Sequence, residues 1–325
     1  VTLGERYEPF SRVGVYIPGG SAPLISTAIH TITIAKTAGI REIVAVTPPC
    51  PSGQLLPEMT YVIHKAGATE IYKIGGVYAI AALAYGTKKI KKVEKIVGPG
   101  NAYVSAAKKM VFGEVSIDMI AGPSEIMIIA DGKQKTEFIA ADMLSQAEHG
   151  SGLEQAILVS DSIQLMKTTA TTIKKQAKRL PRSETVNKVL KNGVFFIETE
   201  NMNQAIEIAG RYAPEHLEIM CDNARSIAKK VRAAGAIFIG KWTPEPVGDF
   251  TAGPSHVLPT GGAARYFSGL RIEDFFRRIS MIEYTKSALN AEINDIAKFA
   301  ETEGLDAHAN SAKIRNSKNA NYRAC

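Results

Sequence analysis

Val13-Gly14-Val15-Tyr16-Ile17-Pro18-Gly19-Gly20 is a short apolar run, rich in β-branched residues, that ends in a Pro-Gly-Gly turn. A run of this kind between turn residues reads as a buried strand. The chain then alternates. Residues 28–38 are patterned as a helix closed by Gly39, and Glu42-Ile43-Val44-Ala45-Val46-Thr47 is the next strand, stopped by Pro48-Pro49. Residues 56–66 read as helix, Ile71-Tyr72-Lys73-Ile74 as strand, and residues 77–85 as an Ala-rich helix ending at Gly86. Lys95-Ile96-Val97 leads into Gly98-Pro99-Gly100-Asn101 and a helix through Phe112. This rhythm predicts a parallel sheet covered by helices, which takes ligands beyond the carboxyl ends of its strands.

A second set follows. Strands are expected over residues 125–130, 156–160, 193–197 and 235–239, with helices around residues 137–147, 165–178, 204–212 and 224–234. After Pro259 the chain turns Gly-rich, then shows helical patterns over residues 272–278 and 293–303. The polar tail beyond has too few apolar residues for its own core and is expected to pack on this subunit or a partner.

The 325 residues, 45% apolar and 22% charged, fit a globular chain of one large or two to three ordinary domains. No apolar run reaches the roughly 18 residues that a spanning helix needs. Residues 1–6 carry no basic segment followed by an apolar one, so they do not read as a signal peptide. Cys50, Cys221 and Cys325 are too few for a disulfide framework, which points to the cytoplasm. The net charge of +7 is scattered and lacks interleaved aromatics. It reads as a solvated basic surface, with no nucleic-acid face and no membrane contact.

The chemistry-bearing residues cluster in polar segments flanked by Gly or Pro. Gln146 and His149 are three apart at a helix end before Gly150-Ser151-Gly152, on one helical face. That pattern is half of a metal site or a solvated helix end. Ala213-Pro214-Glu215-His216 sets a carboxylate beside an imidazole, either a base with its proton carrier or a Pro-started helix with a core histidine. The loop over residues 246–256 carries Asp249 and His256, and the tail carries Glu303 and His308. His30 and His64, inside apolar helical patterns, read as structural. Together the Gln, His, Asp and distant His offer a mixed N/O set suited to Zn²⁺. The glycine turns after Tyr16 and Val97 let a backbone approach an anion at a helix start, although neither is Gly-x-Gly-x-x-Gly.

Taken jointly and in order, Tyr16–Gly20, residues 98–104, Ala121-Gly122-Pro123-Ser124-Glu125, residues 144–150, 213–219, 247–259 and 303–308 resemble the histidinol dehydrogenase family, over nearly the whole chain. The resemblance implies two Rossmann-like parallel-sheet domains with an incomplete dinucleotide-binding fold, and a helical C-terminal tail. The expected division is an NAD-binding domain over residues 1–124, a zinc and substrate domain over 125–265, and a dimer-contacting tail over 266–325. It implies one Zn²⁺ per subunit on Gln146, His149, Asp249 and His308, Glu215 as the base that activates water, and His216 as its acid–base partner. Ser124, His256 and Glu303 match substrate-contacting positions, alongside Gln146, His149, Glu215, His216, Asp249 and His308. Tyr16 and Asn101 match NAD-contacting positions, while Tyr78 stands where the family has Gln.

The implied activity is the NAD-dependent four-electron oxidation of L-histidinol to L-histidine through bound histidinaldehyde, the last step of histidine biosynthesis. It is expected in a cytoplasmic homodimer with shared active sites. The family carries a substantial segment before the Tyr16 strand, and here only residues 1–12 precede that strand. The sequence therefore reads as N-truncated, with an inactive remnant as one alternative and a paralogous zinc-dependent sulfopropanediol-type dehydrogenase as another.

Overall fold

The structure is a computed structural model that describes residues 1–19, 23–149 and 151–316. Gly20, Gly150 and Cys325 lie outside the described residues. The chain divides into two units, Pro9–Phe276 and Val1–Glu8 with Arg277–Cys325.

The chain starts with β1 (Thr2–Pro9), which belongs mainly to the smaller unit. The larger unit opens with β2 (Arg12–Tyr16), α1 (Ile25–Thr37), β3 (Glu42–Thr47), α2 (Pro57–Ala66), β4 (Glu70–Lys73), α3 (Gly76–Tyr85), β5 (Lys95–Val97), α4 (Ala102–Val111) and β6 (Ser116–Ile117). It continues through β7 (Glu125–Ala130), α5 (Thr136–Ala147), β8 (Gln155–Ser160), α6 (Ile163–Ala177), α7 (Ser183–Asn192), β9 (Val194–Glu198), α8 (Met202–Tyr212), β10 (His216–Met220), α9 (Ala224–Ala228), β11 (Ala236–Ile239) and α10 (Pro246–Phe250).

Two five-stranded sheets result, in the orders β4-β3-β2-β5-β6 and β11-β10-β7-β8-β9, with parallel pairing throughout. Counted within each sheet, both follow the Rossmann order 3-2-1-4-5 and stop short of its sixth strand. Helices cover both faces of each. In the first sheet Val13, Val15, Ile43 and Ala45 pack on α1 and α2, while the alternate residues Val44, Val46 and Ile96 pack on α3 and α4. In the second, Ile126, Ile128 and Leu158 face α5, α6 and α7, and Met127, Ile129 and Val159 face α8 and α9. The continuous apolar runs exist because parallel strands bury both faces. Gly14 permits the closest layer contact, since a Cβ there would lie 2.7 Å from Leu83 Cδ1 on α3.

The smaller unit pairs β1 with β12 (Phe276–Glu283) and adds the helices α11 (Lys286–Thr302) and α12 (Asp306–Lys313). Val1–Glu8 cluster with Arg277–Cys325. One expectation is corrected, because residues 272–278 are not a helix. Only Ile272–Phe275 makes a short 3₁₀ turn before the chain extends into β12. Ile279, Met281 and Ile282 favour an extended backbone, and β1 supplies a strand to pair with, which local periodicity does not reveal. The helix expected over residues 224–234 shortens to α9, whereas α7 went unread because its surface is mostly Lys, Glu and Asn.

Candidate metal and catalytic site

Helix α5 runs back across its sheet after β7, so its last turn reaches the edge where β7, β10 and β11 begin. Gln146 and His149 therefore meet Glu125, Glu215 and His216 at the amino ends of the strands. The carboxyl-end rule stated for the first sheet does not describe these residues of the second. The reason is visible in α8, which ends at Ala213 with φ 56°, the one non-glycine residue with positive φ among the described residues. That conformation costs about 1 kcal/mol and turns the chain sharply into Pro214, delivering Glu215 and His216 to the strand start. The pair thus opens a strand, not a helix.

Glu215 is buried, and its Oε2 accepts the Glu125 N–H at 2.9 Å. Burial pushes its carboxyl well above the usual range. His216 Nδ1 lies 3.1 Å from the Glu125 carbonyl oxygen. A carbonyl can only accept, so Nδ1 carries the proton and Nε2 keeps its lone pair. Burial pulls this imidazole down to about 4, which keeps it neutral near pH 7.

His149, Glu245 and Asp249 offer ligand atoms that all lie within 4.8 Å of one another. Asp249 stands on the one-turn α10, and Glu245 immediately precedes it. Glu245 Oε2 accepts from Ser145 Oγ at 3.1 Å, its backbone N–H donates to Glu218 Oε1 at 2.7 Å, and its Oε1 has no hydrogen-bond partner, 3.8 Å from His216 Nε2. Burial, then Asp249, pushes the Glu245 carboxyl up to about 8, and Asp249 rises as well. Gln146 is fully buried, and neither amide atom has a partner.

Beneath lie Asp142 and Glu218, both raised by burial, Asp142 to about 6. Among the described residues none of these carboxylates pairs with Lys or Arg. Unpartnered buried oxygens, a buried amide and a nearby imidazole are the donor set that a divalent cation satisfies, so these residues fit a Zn²⁺ ion.

His256 lies beside this cluster, with Nδ1 3.7 Å from Asp249 Oδ1 and Nε2 3.1 Å from Thr27 Oγ1. A cavity of about 560 Å³, walled by Ile34, Ile237, Phe238 and Leu258, reaches His216, Asp249 and His256 and has the size of a small-ligand site. Ser124 is half-buried just before β7. Glu303 and His308 stand exposed in the smaller unit, at the end of α11 and on α12. Glu245 was not singled out in the sequence, and His30 was read there as structural. Glu245 had one usable signal, its position four residues before Asp249.

The turns expected to meet NAD sit at the carboxyl ends of the first sheet. Tyr16 is buried, and its hydroxyl accepts the Gly76 N–H at 3.1 Å. Asn101 caps α4, its Oδ1 accepting from Tyr103 and Val104 at 3.1 Å each. Gly98 has φ 110°, and a Cβ there would lie 2.1 Å from the Tyr16 carbonyl oxygen, so only glycine fits. The buried Lys108 and Asp118 grip its carbonyl and amide. Tyr78 is exposed on α3.

A sequence model of the family described as "Histidinol dehydrogenase" matches residues 1–316. Histidinol dehydrogenase from Carboxydothermus hydrogenoformans is 45% identical over 313 residues, covering 96% of this chain and 73% of the relative. That from Clostridium acetobutylicum is 46% identical over 315 residues, covering 97% and 73%. The crystal structure of histidinol dehydrogenase from Elizabethkingia anophelis superposes with a TM-score of 0.92 at 38% identity, over 96% of this chain and 72% of that one. An acetylating aldehyde dehydrogenase from Geobacillus thermoglucosidasius, 15% identical with a TM-score of 0.58 over 87% of this chain and 77% of its own, shares the fold alone. With a family match over residues 1–316 and relatives at this identity and coverage, the chain belongs to the histidinol dehydrogenase family, and it is an oxidoreductase enzyme.

Proposed function

We propose that this chain oxidises L-histidinol to L-histidine in two NAD-dependent steps through bound histidinaldehyde. The observation that carries the reading is the buried Glu215–His216 pair beside the His149–Glu245–Asp249 cluster. Gln146, His149 and Asp249, with His308 from a second copy, would hold one Zn²⁺, which supplies a Lewis-acid anchor for the amine and imidazole of the substrate. NAD, held at the turns near Tyr16, Gly98 and Asn101, with Tyr78 alongside, supplies the hydride acceptor.

His216 Nε2 accepts the alcohol proton, since its tautomer is fixed by the Glu125 carbonyl. Glu215, made a stronger base by burial, then takes a proton from the water that attacks the aldehyde. Ser124, His256 and Glu303 position the substrate, and burial of the site keeps the aldehyde from escaping. In this reading residues 1–124 serve the cofactor, 125–265 the metal and substrate, and 266–325 a homodimer contact. The free thiols of Cys50 and Cys221 support a cytoplasmic setting. Among the described residues no helix is long and apolar enough to cross a membrane.

The test is NADH formation from L-histidinol, with and without added Zn²⁺. Two NADH per histidine are expected, with loss of activity on chelation. Turnover of dihydroxypropanesulfonate in preference to histidinol, or of neither, would overturn the assignment.

A further inference from the structure

We infer that His30 is a positioning residue for the active site, its ring and its Nδ1 holding His256 against Asp249. The inference rests on the function proposed above and extends it to a residue outside the expected site. His256 follows four exposed residues, 251–254, and no strand ladder fixes it. Its placement comes instead from α1. The His256 N–H donates to His30 Nδ1 at 3.0 Å, and the two rings stack with centroids 4.4 Å apart and planes 28° apart. Ser255 Oγ donates to the His30 carbonyl at 3.3 Å, and Thr27, nearly one turn earlier on α1, meets His256 Nε2. Held on that side, the ring presents Nδ1 to Asp249 Oδ1 at 3.7 Å.

Accepting at Nδ1 makes His30 a neutral imidazole with its proton on Nε2, and its burial favours the same neutral form. A rigid helix of the first sheet thereby steadies two loop-borne side chains of the second. Groups that orient metal ligands from behind are worth roughly 10–100-fold in metal affinity or activity.

His30→Ala removes both the ring and the acceptor, while His30→Asn returns an acceptor near the Nδ1 position. Zinc affinity by chelator competition and kcat and KM for histidinol are measured on the full chain, with melting temperature as the folding control. His30→Ala is expected to weaken zinc binding and lower kcat/KM by about tenfold each, chiefly through KM, and His30→Asn to recover most of both. Unchanged zinc affinity and kinetics in His30→Ala overturn the inference. Equal losses in both variants that track a fall in melting temperature also overturn it, because they mark a merely structural role. A wild-type chain that binds zinc but leaves histidinol untouched refutes the substrate assignment alone, and the zinc arm still decides on His30.

Discussion

At the scale of single residues, the two members of the proposed catalytic pair, Glu215 and His216, are displaced in opposite directions by one cause. Burial raises Glu215 and lowers His216 because it disfavours the charged form of each. Glu215→Gln keeps the shape and removes the base. It is expected to slow oxidation of added histidinaldehyde by about 10²–10⁴-fold while sparing the first hydride transfer, so NADH per histidinol falls from two toward one. Equal loss of both steps would assign Glu215 elsewhere. The His216 shift has a stability consequence in the metal-free chain. Its folded pKa, about 4, lies below the ordinary 6.5, so the unfolded chain takes the proton first. The contribution is full above pH 6.5 and is lost as pH falls toward 4, by about 3 kcal/mol. Urea unfolding of wild type minus His216→Gln across that range reads it, with Glu245, whose raised pKa acts with the opposite sign, retained in both chains. A flat difference would place a water or ion at the imidazole. Gln146, His149, Glu215, His216, Asp249 and His256 were legible as polar residues among Gly and Pro. Glu245 was not, because its value lies in an unpartnered oxygen. His30 was not, because an apolar helix pattern looks the same whether its histidine faces a core or a second histidine.

At the scale of elements, the turn between β5 and α4 caps a helix and, in the proposed reading, also meets NAD. Asn101 caps α4 through Oδ1, which leaves its amide nitrogen as the group that can donate outward. Asn101→Ala should cost about 1 kcal/mol through the lost cap. Asn101→Asp keeps the cap and removes the donor, so it should fold like wild type yet raise KM for NAD about tenfold. An Asp variant with wild-type KM would reduce Asn101 to a cap. Most strands and helices of the two sheets, though not α7 or β6, were readable because they carry their period and a stop residue, as Val13–Ile17 with Pro18-Gly19 does. Elements set by distant partners were not. β12 exists through β1, some 270 residues away in sequence. The second sheet's use of its amino edge follows from Ala213, whose positive φ no composition rule assigns to alanine.

At the scale of the whole molecule, the smaller unit has little core among its described residues. Its buried apolar cluster is Ala297, Ala300 and Ala309, and β1 and β12 form a ribbon with Leu3, Tyr7, Met281 and Ile282 exposed. A lone two-stranded sheet is at best marginally stable in water. Such a unit gains stability by covering another surface, and Glu303 and His308 travel with it. The proposed homodimer with exchanged tails would account for both facts, because each larger unit would then receive the proposed ligand His308 from its partner. The arrangement makes a quantitative prediction. His308→Ala and Glu215→Ala chains are each expected to form almost no histidine alone, and histidine formation is the activity read here. In a mixed dimer both defects fall in one site and the other site is intact. Random exchange of equal amounts should therefore restore about one quarter of wild-type activity, given two-fold symmetry with shared sites. Mixed dimers isolated with two affinity tags carry one intact site of two, so about half of wild-type activity is expected per heterodimer. If those heterodimers form and stay inactive, each chain completes its own site and His308 acts in cis.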